Sequence, residues 1–375
     1  MIKIQEISTK KELKQFVKFP FSLYKGNKYW VPPIISEEVE SFDKLKNPVF
    51  EHADARFFLA LKEGKVVGRV AAIVNKLEIE VQKVPRMRFG WIDFIDDLEV
   101  SKALLDKVRE IGIQEKLDFM EGPLGFSNLD KVGVLTEGFD SISTMVTWYN
   151  YPYYAAHFEQ LGLQPAQKFL ESNFSIQNVD IEKYQRYANV IKQRYQLRPI
   201  NFKTTEEVLP YVEEMFGLFN TSYAKLSSFV PVSQRQMAYL KKKFINFINP
   251  EYIKFIVDKE DKLVTFSITM PSYAEALQKA NGKLFPTGFI HLLRAKKHSK
   301  SSVFFLIGIL PEYQKKGVTA IIFDEFFKTY VEKGVEKMII TPELEENKDI
   351  QLIWKNFKPQ VHKRRCTMRK DLSQD

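Results

Sequence analysis

The sequence predicts an α/β (α+β) protein built from two similar domains in tandem. The chain has 375 residues, a length typical of two or three domains. Residues 7–17 are similar to residues 202–212, and residues 62–67 are similar to residues 259–264, at nearly the same spacing. Both halves alternate apolar runs with amphipathic stretches, which is the pattern of strands and helices. We therefore expect one fold twice, each copy a mixed, mostly antiparallel sheet flanked by helices.

The predicted boundary lies in the polar stretch 177–180, which divides the chain into residues 1–177 and 178–375. No long linker rich in Pro, Gly or Ser separates the halves, so we expect the two domains to pack closely. The first repeated segment predicts a short strand, a Thr N-cap and a helix with Glu in its first turn. The second lies between two apolar runs, which predicts a hairpin.

The remaining elements follow the same order in each half. In the first half we expect strands at 89–95, 118–121 and 169–176, a helix capped by Ser101, and a helix at 153–161. In the second half we expect strands at 303–310, 337–341 and 361–368, and helices at 318–333 and 345–357. Gly334 is predicted to end the first of these second-half helices as a C′ residue.

Composition and charge narrow the class of protein. Charged residues make up 27% and hydrophobic residues 45%, which is typical of a folded globular chain. The net charge of +9 suits a phosphate-bearing ligand, nucleic acid or an anionic membrane surface, without choosing among them. The apolar runs are too short to span a bilayer, and the first residues lack the apolar core of a signal peptide. We expect a cytoplasmic protein that is at most peripheral to the inner face of the membrane.

Cysteine and histidine usage argues against metal and thiol chemistry. Cys366 is the only cysteine, which excludes an internal disulfide and a multi-cysteine zinc site. The spacing of the histidines does not fit a metal site, so we expect no metal. Catalysis by Cys366 is disfavoured because His362 lies too far along one predicted strand to serve as its base.

A short basic loop carries the strongest chemical signal. A predicted strand runs into residues 311–318 and then into a helix. The unpaired N–H groups of a helix N-terminus bind phosphate. Gly317 would let the backbone approach an anion without a Cβ in the way, and Lys315 and Lys316 add positive charge. By spacing alone, an ordinary strand–loop–helix connection with a solvated lysine pair remains open.

The same loop resembles the Q/R-x-x-G-x-G/A pyrophosphate loop of the GNAT superfamily of N-acyltransferases. The resemblance is carried by Gln314, Lys315, Lys316, Gly317, Val318 and Thr319. It implies that the loop binds the pyrophosphate of acyl-CoA, and that the strand ending at Ile309 and Leu310 pairs with pantetheine. Residues 343–357 resemble a second element of the family, in which Asn347 would touch the CoA arm.

Some residues depart from this pattern. Thr319 replaces the small last residue of the loop, and Trp354 stands where the family often has the Tyr that protonates the CoA thiolate. The Tyr mechanism is therefore not carried over. At the corresponding place in the first half, Asp96, Asp97 and Glu99 would repel a pyrophosphate. We expect a first domain without a CoA site.

A narrower resemblance covers most of the chain. It is carried by residues 25–33, 58–60, 68–69, 122–123 and 137–140. These segments are similar to a tandem GNAT family that includes bacterial ceramide synthase-like proteins. The resemblance implies transfer of a fatty acyl group from CoA to the amine of a sphingoid base, although substrates in such a family need not be uniform.

Two side chains are candidate general bases in the second domain. His291 lies in an apolar stretch before the predicted CoA strand, where a satisfied core histidine is the favoured alternative to a general base. Glu343 follows the strand that should border the acyl site, where a solvated acid at a helix start is the alternative. Asp130 and Glu137 lie in a long loop, residues 122–149, that would cover an acceptor pocket or form a structural insertion.

Together these observations predict an acyl-CoA-dependent N-acyltransferase. The amine, from a small molecule or a lipid, would attack the thioester directly, while backbone N–H groups near Ile309 and Leu310 polarise the carbonyl. The 31 Phe residues and the +9 charge favour a long acyl chain and contact with an anionic membrane. Two alternatives stay open: an aminoacyl-tRNA-dependent transferase, although no clustered basic-aromatic platform for nucleic acid is present, and a non-catalytic CoA-binding or regulatory protein.

Overall fold

A computed structural model describes residues 1–224, 229–244 and 248–373. Within these residues, thirteen strands form one mixed sheet with helices on both faces. The strands are β1 (Ile2–Glu6), β2 (Ala53–Lys62), β3 (Lys65–Asn75), β4 (Arg86–Phe94), β5 (Phe119–Gly122), β6 (Val134–Glu137), β7 (Gln164–Ser175), β8 (Arg198–Asn201), β9 (Ile253–Val257), β10 (Leu263–Pro271), β11 (Ser301–Ile309), β12 (Lys337–Leu344) and β13 (Gln360–Asp371). The helices are α1 (Lys10–Leu23), α2 (Ile35–Ser41), α3 (Lys76–Glu80), α4 (Leu98–Gln114), α5 (Tyr153–Gln160), α6 (Ile181–Tyr195), α7 (Thr205–Val208), α8 (Val212–Tyr223), α9 (Gln234–Phe244), α10 (Ala274–Ala280), α11 (Gly288–His298), α12 (Thr319–Lys333) and α13 (Lys348–Trp354).

The repeated segments form equivalent elements in the two halves, as the sequence predicts. Thr9 and Glu12 form a capping box at the start of α1, and Thr204 and Glu207 form the same box at the start of α7. The second repeat forms two hairpin turns, between β2 and β3 and between β9 and β10. Gly334 ends α12 with a left-handed backbone, φ +65°, as expected of a C′ glycine.

The fold class predicted from the sequence is confirmed, but the two halves do not form separate sheets. Twelve strands follow the order β1-β2-β3-β4-β5-β13-β7-β12-β11-β10-β9-β8, and β6 pairs with β13 beside this path. β7, the last strand of the first half, pairs with β12 of the second half, and β13, the last strand of the chain, pairs with β5 of the first half. The two halves therefore exchange their last strands, and β7 and β13 pair with each other at the centre of the sheet.

Helix-covered cores lie against this sheet in both halves. α4 and α5 cover the first-half strands through buried side chains such as Val108 and Phe158. α12 covers the second-half strands with the Phe-rich face that the sequence displays, including Phe323, Phe326 and Phe327. None of the described helices is both long and apolar enough to cross a bilayer. Among the described side chains, no group of three His, Cys, Asp or Glu residues is arranged to hold a metal ion.

Candidate active site

The parallel strands β11 and β12 separate partway along their length. They pair only from Ser301 opposite Lys337 to Phe304 opposite Ile340. Beyond that point β11 continues beside β10, while β12 continues beside β7, where Glu343 lies opposite Leu170. We call the gap between residues 305–309 of β11 and residues 341–344 of β12 the cleft. Its borders carry backbone groups that are no longer used in strand pairing between β11 and β12, which suits an extended ligand.

Glu343 lies at the β12 border of the cleft. Its Oε1 accepts a hydrogen bond of 2.7 Å from the indole Nε1 of Trp354, in α13. Burial raises the pKa of the Glu343 carboxyl to about 8, although the indole hydrogen bond acts in the opposite direction. A carboxyl group with a pKa near neutrality exchanges a proton readily at physiological pH, which is the property required of a general base.

Two consecutive hydroxyl groups at the end of α8 meet the β11 border of the same cleft. The Ile309 N–H donates to Ser222 Oγ at 3.1 Å, and Ser222 Oγ donates to the Ile309 carbonyl at 3.1 Å. The phenolic oxygen of Tyr223 accepts a hydrogen bond from the Ile307 N–H. The last turn of α8 is therefore fixed to the strand edge that an extended ligand would use.

The ring of Tyr223 is held in place by aromatic neighbours. Its centroid lies 4.4 Å from that of Phe219 and 6.1 Å from that of Phe229. Burial raises the pKa of the Tyr223 hydroxyl to about 12, and the charge of Glu343 acts in the same direction. The hydroxyl therefore keeps its proton at neutral pH and is available as a donor. Sequence analysis missed Ser222 and Tyr223, because the repeat that aligns the two halves ends at Val212, the first residue of α8.

The backbone N–H groups at the cleft differ in part from those expected. The Leu310 N–H donates to the Val264 carbonyl of β10 at 2.9 Å, so it points away from the cleft and is already used within the sheet. The prediction that Leu310 would polarise a substrate carbonyl is corrected on this ground. The N–H groups that face the cleft are those of Ile307 and Ile309.

The basic loop follows directly on β11. Gln314 Nε2 donates to the Ile309 carbonyl at 3.3 Å, which ties the loop to the end of the strand. Lys315 and Gly317 both have left-handed backbones, with φ +62° and +77°. At Gly317 this conformation would strain any side chain, and a Cβ there would lie 3.4 Å from Ile191 Cδ1.

Both lysines of the loop lie at its surface. Lys316 Nζ lies 5.4 Å from the ring centroid of Tyr195 and 5.1 Å from that of Tyr313, while Lys315 Nζ lies 3.8 Å from Asp349 Oδ1. Val318 and Thr319 begin α12. The Ala320 and Ile321 N–H groups already donate to the Gly317 and Val318 carbonyls at 3.0 and 3.1 Å, so the N–H groups just before them are the ones that a ligand can use. Positive charge and free N–H groups thus converge at one helix start, the arrangement that binds phosphate groups.

Asn347 begins α13 beside the cleft. Its Oδ1 accepts a hydrogen bond of 3.3 Å from the Ile350 N–H, so the side chain acts as the N-cap of this helix. The structure thus places Asn347 three residues after the β12 border, between Glu343 and the helix that carries Trp354. Its side-chain oxygen is occupied by the cap, and its amide nitrogen is the group suited to a ligand contact.

His291 does not join this group, and its assignment as a general base is corrected. It lies in α11, which leads into the first residue of β11, whereas the cleft opens at the last residues of that strand. The buried side of α11, including Leu292, packs with Tyr273 and Leu277 in a cluster apart from the cleft. The apolar stretch around His291 is therefore the face of a separate helix rather than the wall of the site.

The corresponding gap in the first half is closed by the protein itself. β4 and β5 pair from Arg86 to Arg88 and then separate, but the Leu124 N–H donates to the Phe89 carbonyl across the gap at 2.8 Å. Asp97 caps α4 by accepting from the Glu99 N–H at 3.1 Å, so the predicted cap, Ser101, is wrong and lies buried inside the helix. A carboxylate of the chain thus occupies the helix start where the second half has its basic loop.

The other candidates named from the sequence have structural contacts of their own. Asp130 closes a turn by accepting from the Ser127 N–H at 2.9 Å, and Glu137 pairs with Arg364 at 3.3 Å. Cys366 is buried among apolar side chains of the first half, and burial raises the pKa of its thiol to about 11. None of these three residues borders the cleft between β11 and β12.

Comparisons with known proteins agree with this architecture. No family model matches the chain. Protein YghO of Escherichia coli K12 is 28% identical over 324 residues, which cover 85% of this chain and 81% of that protein. A bacterial ceramide synthase of Caulobacter vibrioides is 25% identical over 315 residues, covering 82% of this chain and 80% of that protein. Among solved structures, a tandem GNAT protein from the clavulanic acid biosynthesis pathway matches with a TM-score of 0.58 and 10% identity over the full length of both chains. With its two equivalent halves, its separated parallel strands in the second half and this full-length match, the chain has the tandem GNAT fold.

Proposed function

We propose that the protein is an N-acyltransferase that moves an acyl group from CoA to an amine, using a site in its second half. The observation that carries the proposal is the cleft between β11 and β12. It begins at a phosphate-binding type of loop around Gly317 and contains a carboxyl group, Glu343, whose pKa is about 8. A GNAT fold supplies the framework, since its members bind acyl-CoA between these two strands.

Two elements bind acyl-CoA: the basic loop holds its pyrophosphate, and the edge of β11 holds its pantetheine arm. The pyrophosphate sits at the start of α12, where backbone N–H groups and Lys315 and Lys316 offset its charge. The pantetheine arm extends along β11 and pairs with the N–H and carbonyl groups of Ile309. The Ser222 hydroxyl is hydrogen-bonded to both of those groups, so the pantetheine arm displaces this hydroxyl when acyl-CoA binds.

Glu343 then acts on the acceptor amine. An ammonium group gives its proton to the Glu343 carboxylate, and the free nitrogen attacks the thioester carbonyl carbon. The C–N bond forms, the nitrogen loses its second proton, the C–S bond breaks, and the departing CoA thiolate takes up that proton, while Glu343 later releases its own to solvent. During attack the carbonyl oxygen gains negative charge, which the Tyr223 hydroxyl stabilises while the Ile307 N–H holds that hydroxyl at the cleft.

The acyl chain and the acceptor are proposed on other grounds. Similarity to the bacterial ceramide synthase of Caulobacter vibrioides supports a long acyl chain and an amphipathic amine such as a sphingoid base. The 31 Phe residues are consistent with an apolar path for such a chain, although many of them fill the cores beside the sheet. A short acyl group and a small polar amine form the alternative that the experiment must distinguish.

The test measures release of the CoA thiol with acyl donors from acetyl-CoA to palmitoyl-CoA and with small amines, diamines and sphinganine. We expect turnover that needs both substrates and is lost in Glu343→Gln. Each CH₂ buried in an acyl groove contributes roughly 0.8 kcal/mol, so palmitoyl-CoA should bind many-fold more tightly than acetyl-CoA. Equal binding of both donors with no acylated sphinganine would overturn the lipid assignment. Binding of CoA without turnover over the whole amine panel would overturn the enzymatic one.

A further inference from the structure

One helix carries a group of large apolar side chains on the surface. They lie in α11 and the turn before it, and we call them the apolar tip: Phe285, Phe289, Ile290 and Leu293. The exposed fraction of Phe285 is 76%, that of Ile290 is 52% and that of Leu293 is 55%. Scattered exposed apolar residues are ordinary, but four within nine residues on one side of a helix are not.

Helical spacing explains why these side chains share a side. Phe289 and Leu293 are four residues apart, and Ile290 and Leu293 are three apart, so they project from one face of α11. The rings of Phe285 and Phe289 lie 5.5 Å apart. The opposite face of α11 is already used, because Leu292 is buried in the α10–α11 cluster. The apolar tip therefore faces away from the protein core.

Positive charge surrounds the apolar tip. Residues 276–300 contain six Lys or Arg and no Asp or Glu. Lys283, Arg294 and Lys297 are exposed beside the tip, and Lys296 and Lys297 lie in the last turn of α11. Lys28, an exposed residue of the first half, lies next to α10, where its carbonyl accepts a hydrogen bond of 2.9 Å from Gln278 Nε2.

The tip is fixed to both halves of the protein. The Ile35 N–H donates to the Gly282 carbonyl at 3.0 Å, and Gln278 also donates to the Trp30 carbonyl at 2.9 Å. At Gly282 a Cβ would lie 2.5 Å from the ring of Phe21, so the turn before α11 fits closely against the first half. An apolar surface that is held rigidly loses little conformational entropy when it docks.

We propose that the apolar tip and its surrounding lysines and arginines dock the protein on an anionic lipid surface. Apolar side chains on one face of a helix, flanked by basic residues, enter the boundary between headgroups and acyl chains while the basic residues contact anionic headgroups. A second copy of the chain is the poorer occupant. A two-fold contact would place each copy's Lys and Arg residues against the same residues of the other copy. This inference does not depend on the proposed reaction.

The test is flotation of the full chain with vesicles of phosphatidylcholine alone or mixed with phosphatidylglycerol, at low and high salt. We expect binding to the anionic vesicles that weakens with salt. Ile290→Ser/Leu293→Ser should weaken it at least tenfold. Arg294→Glu/Lys297→Glu should weaken it by more than tenfold, since each basic residue near the surface contributes about fivefold.

Matched controls use exposed residues elsewhere. Val190→Ser/Val331→Ser removes two exposed apolar side chains, and Lys10→Glu/Lys259→Glu makes the same change in net charge. Neither should alter vesicle binding. The proposal is overturned if the wild-type chain stays free of anionic vesicles or if the tip variants bind as well as their controls. It is also overturned if sedimentation shows a dimer that the tip variants dissociate. Acyl-CoA calorimetry on the same variants should be unchanged, which separates this proposal from the proposed reaction.

Discussion

The indole N–H of Trp354 donates to the carboxyl group of Glu343 at 2.7 Å, so the residue that departs from the GNAT pattern is bonded to the proposed base. Trp354 also packs edge-on against Phe304, with ring centroids 4.7 Å apart, and belongs to the core beneath α12. An indole cannot protonate a thiolate at neutral pH. It can fix the position of a carboxyl group and favour its charged form, and a general base at Glu343 requires both.

The first prediction concerns Glu343→Gln. We expect kcat to fall at least a hundredfold, since general base catalysis typically contributes factors of that size. In the wild-type protein, kcat/KM should rise with pH up to about 8, because the base acts only when its carboxyl group has lost its proton. A pH–rate series on both proteins checks this. An unchanged rate in Glu343→Gln would remove Glu343 from the mechanism.

The same pKa predicts an effect on stability. Between the ordinary value of 4.5 and about 8, the folded protein holds a proton on Glu343 that the unfolded chain has lost. This group therefore makes the free energy of unfolding fall as pH rises through that window. Glu343→Gln removes the contribution, so the variant should gain stability relative to wild type between pH 5 and 8, as denaturant titrations would measure.

The second prediction is that Trp354→Phe shifts the pH–rate profile of acyl transfer to higher pH. The indole hydrogen bond lowers the pKa of Glu343, so its loss should raise that pKa further. Phe323→Leu serves as the control. It disturbs the same aromatic cluster, since the rings of Phe323 and Trp354 lie 5.4 Å apart, but it leaves the hydrogen bond intact. Equal shifts in both variants would show that packing, and not the N–H group, sets the profile.

The third prediction is a single acyl-CoA site per chain that depends on Gly317. Gly317→Glu places a side chain and a negative charge against the pyrophosphate, so calorimetry should show binding at least tenfold weaker. Gly64→Glu is a matched control, because Gly64 has nearly the same φ, +76° against +77°, and a Cβ there meets nothing within 4 Å. Two sites in the wild type, or equal affinity in the two variants, would contradict the assignment.

The elements of the site that the sequence reveals are local ones. The loop around Gly317 can be recognised in the sequence because its strand, loop and helix are consecutive. The helix caps at Thr9 and Thr204 can be recognised because each depends on a Glu three residues later. The exchange of β7 and β13 depends on pairing between residues far apart in the chain, which no short pattern records. For the same reason Ser222, on a distant helix, could not be connected with Ile309 before the fold was known.

The fourth prediction is acyl transfer without an acyl-enzyme. Cys366 is buried, its thiol donates to Met368 Sδ at 3.5 Å, and burial raises the pKa of the thiol to about 11. A thiol that stays protonated is a poor nucleophile. Cys366→Ala should therefore keep most of the wild-type kcat, and intact-protein mass spectrometry after incubation with acyl-CoA alone should show no added acyl mass. An acylated chain that passes its acyl group to an amine would refute direct attack.

The last prediction concerns the hydroxyl group of Ser222. It bonds both the N–H and the carbonyl of Ile309, the two groups that the pantetheine arm is proposed to use. In Ser222→Ala the arm no longer has to displace this hydroxyl. Since a net hydrogen bond contributes about 1 kcal/mol, acyl-CoA should bind up to about fivefold more tightly. Thr221→Ala is the control, because its hydroxyl bonds the Gly217 carbonyl within α8. Weaker binding in Ser222→Ala alone would mean that the hydroxyl contacts the ligand instead of yielding to it.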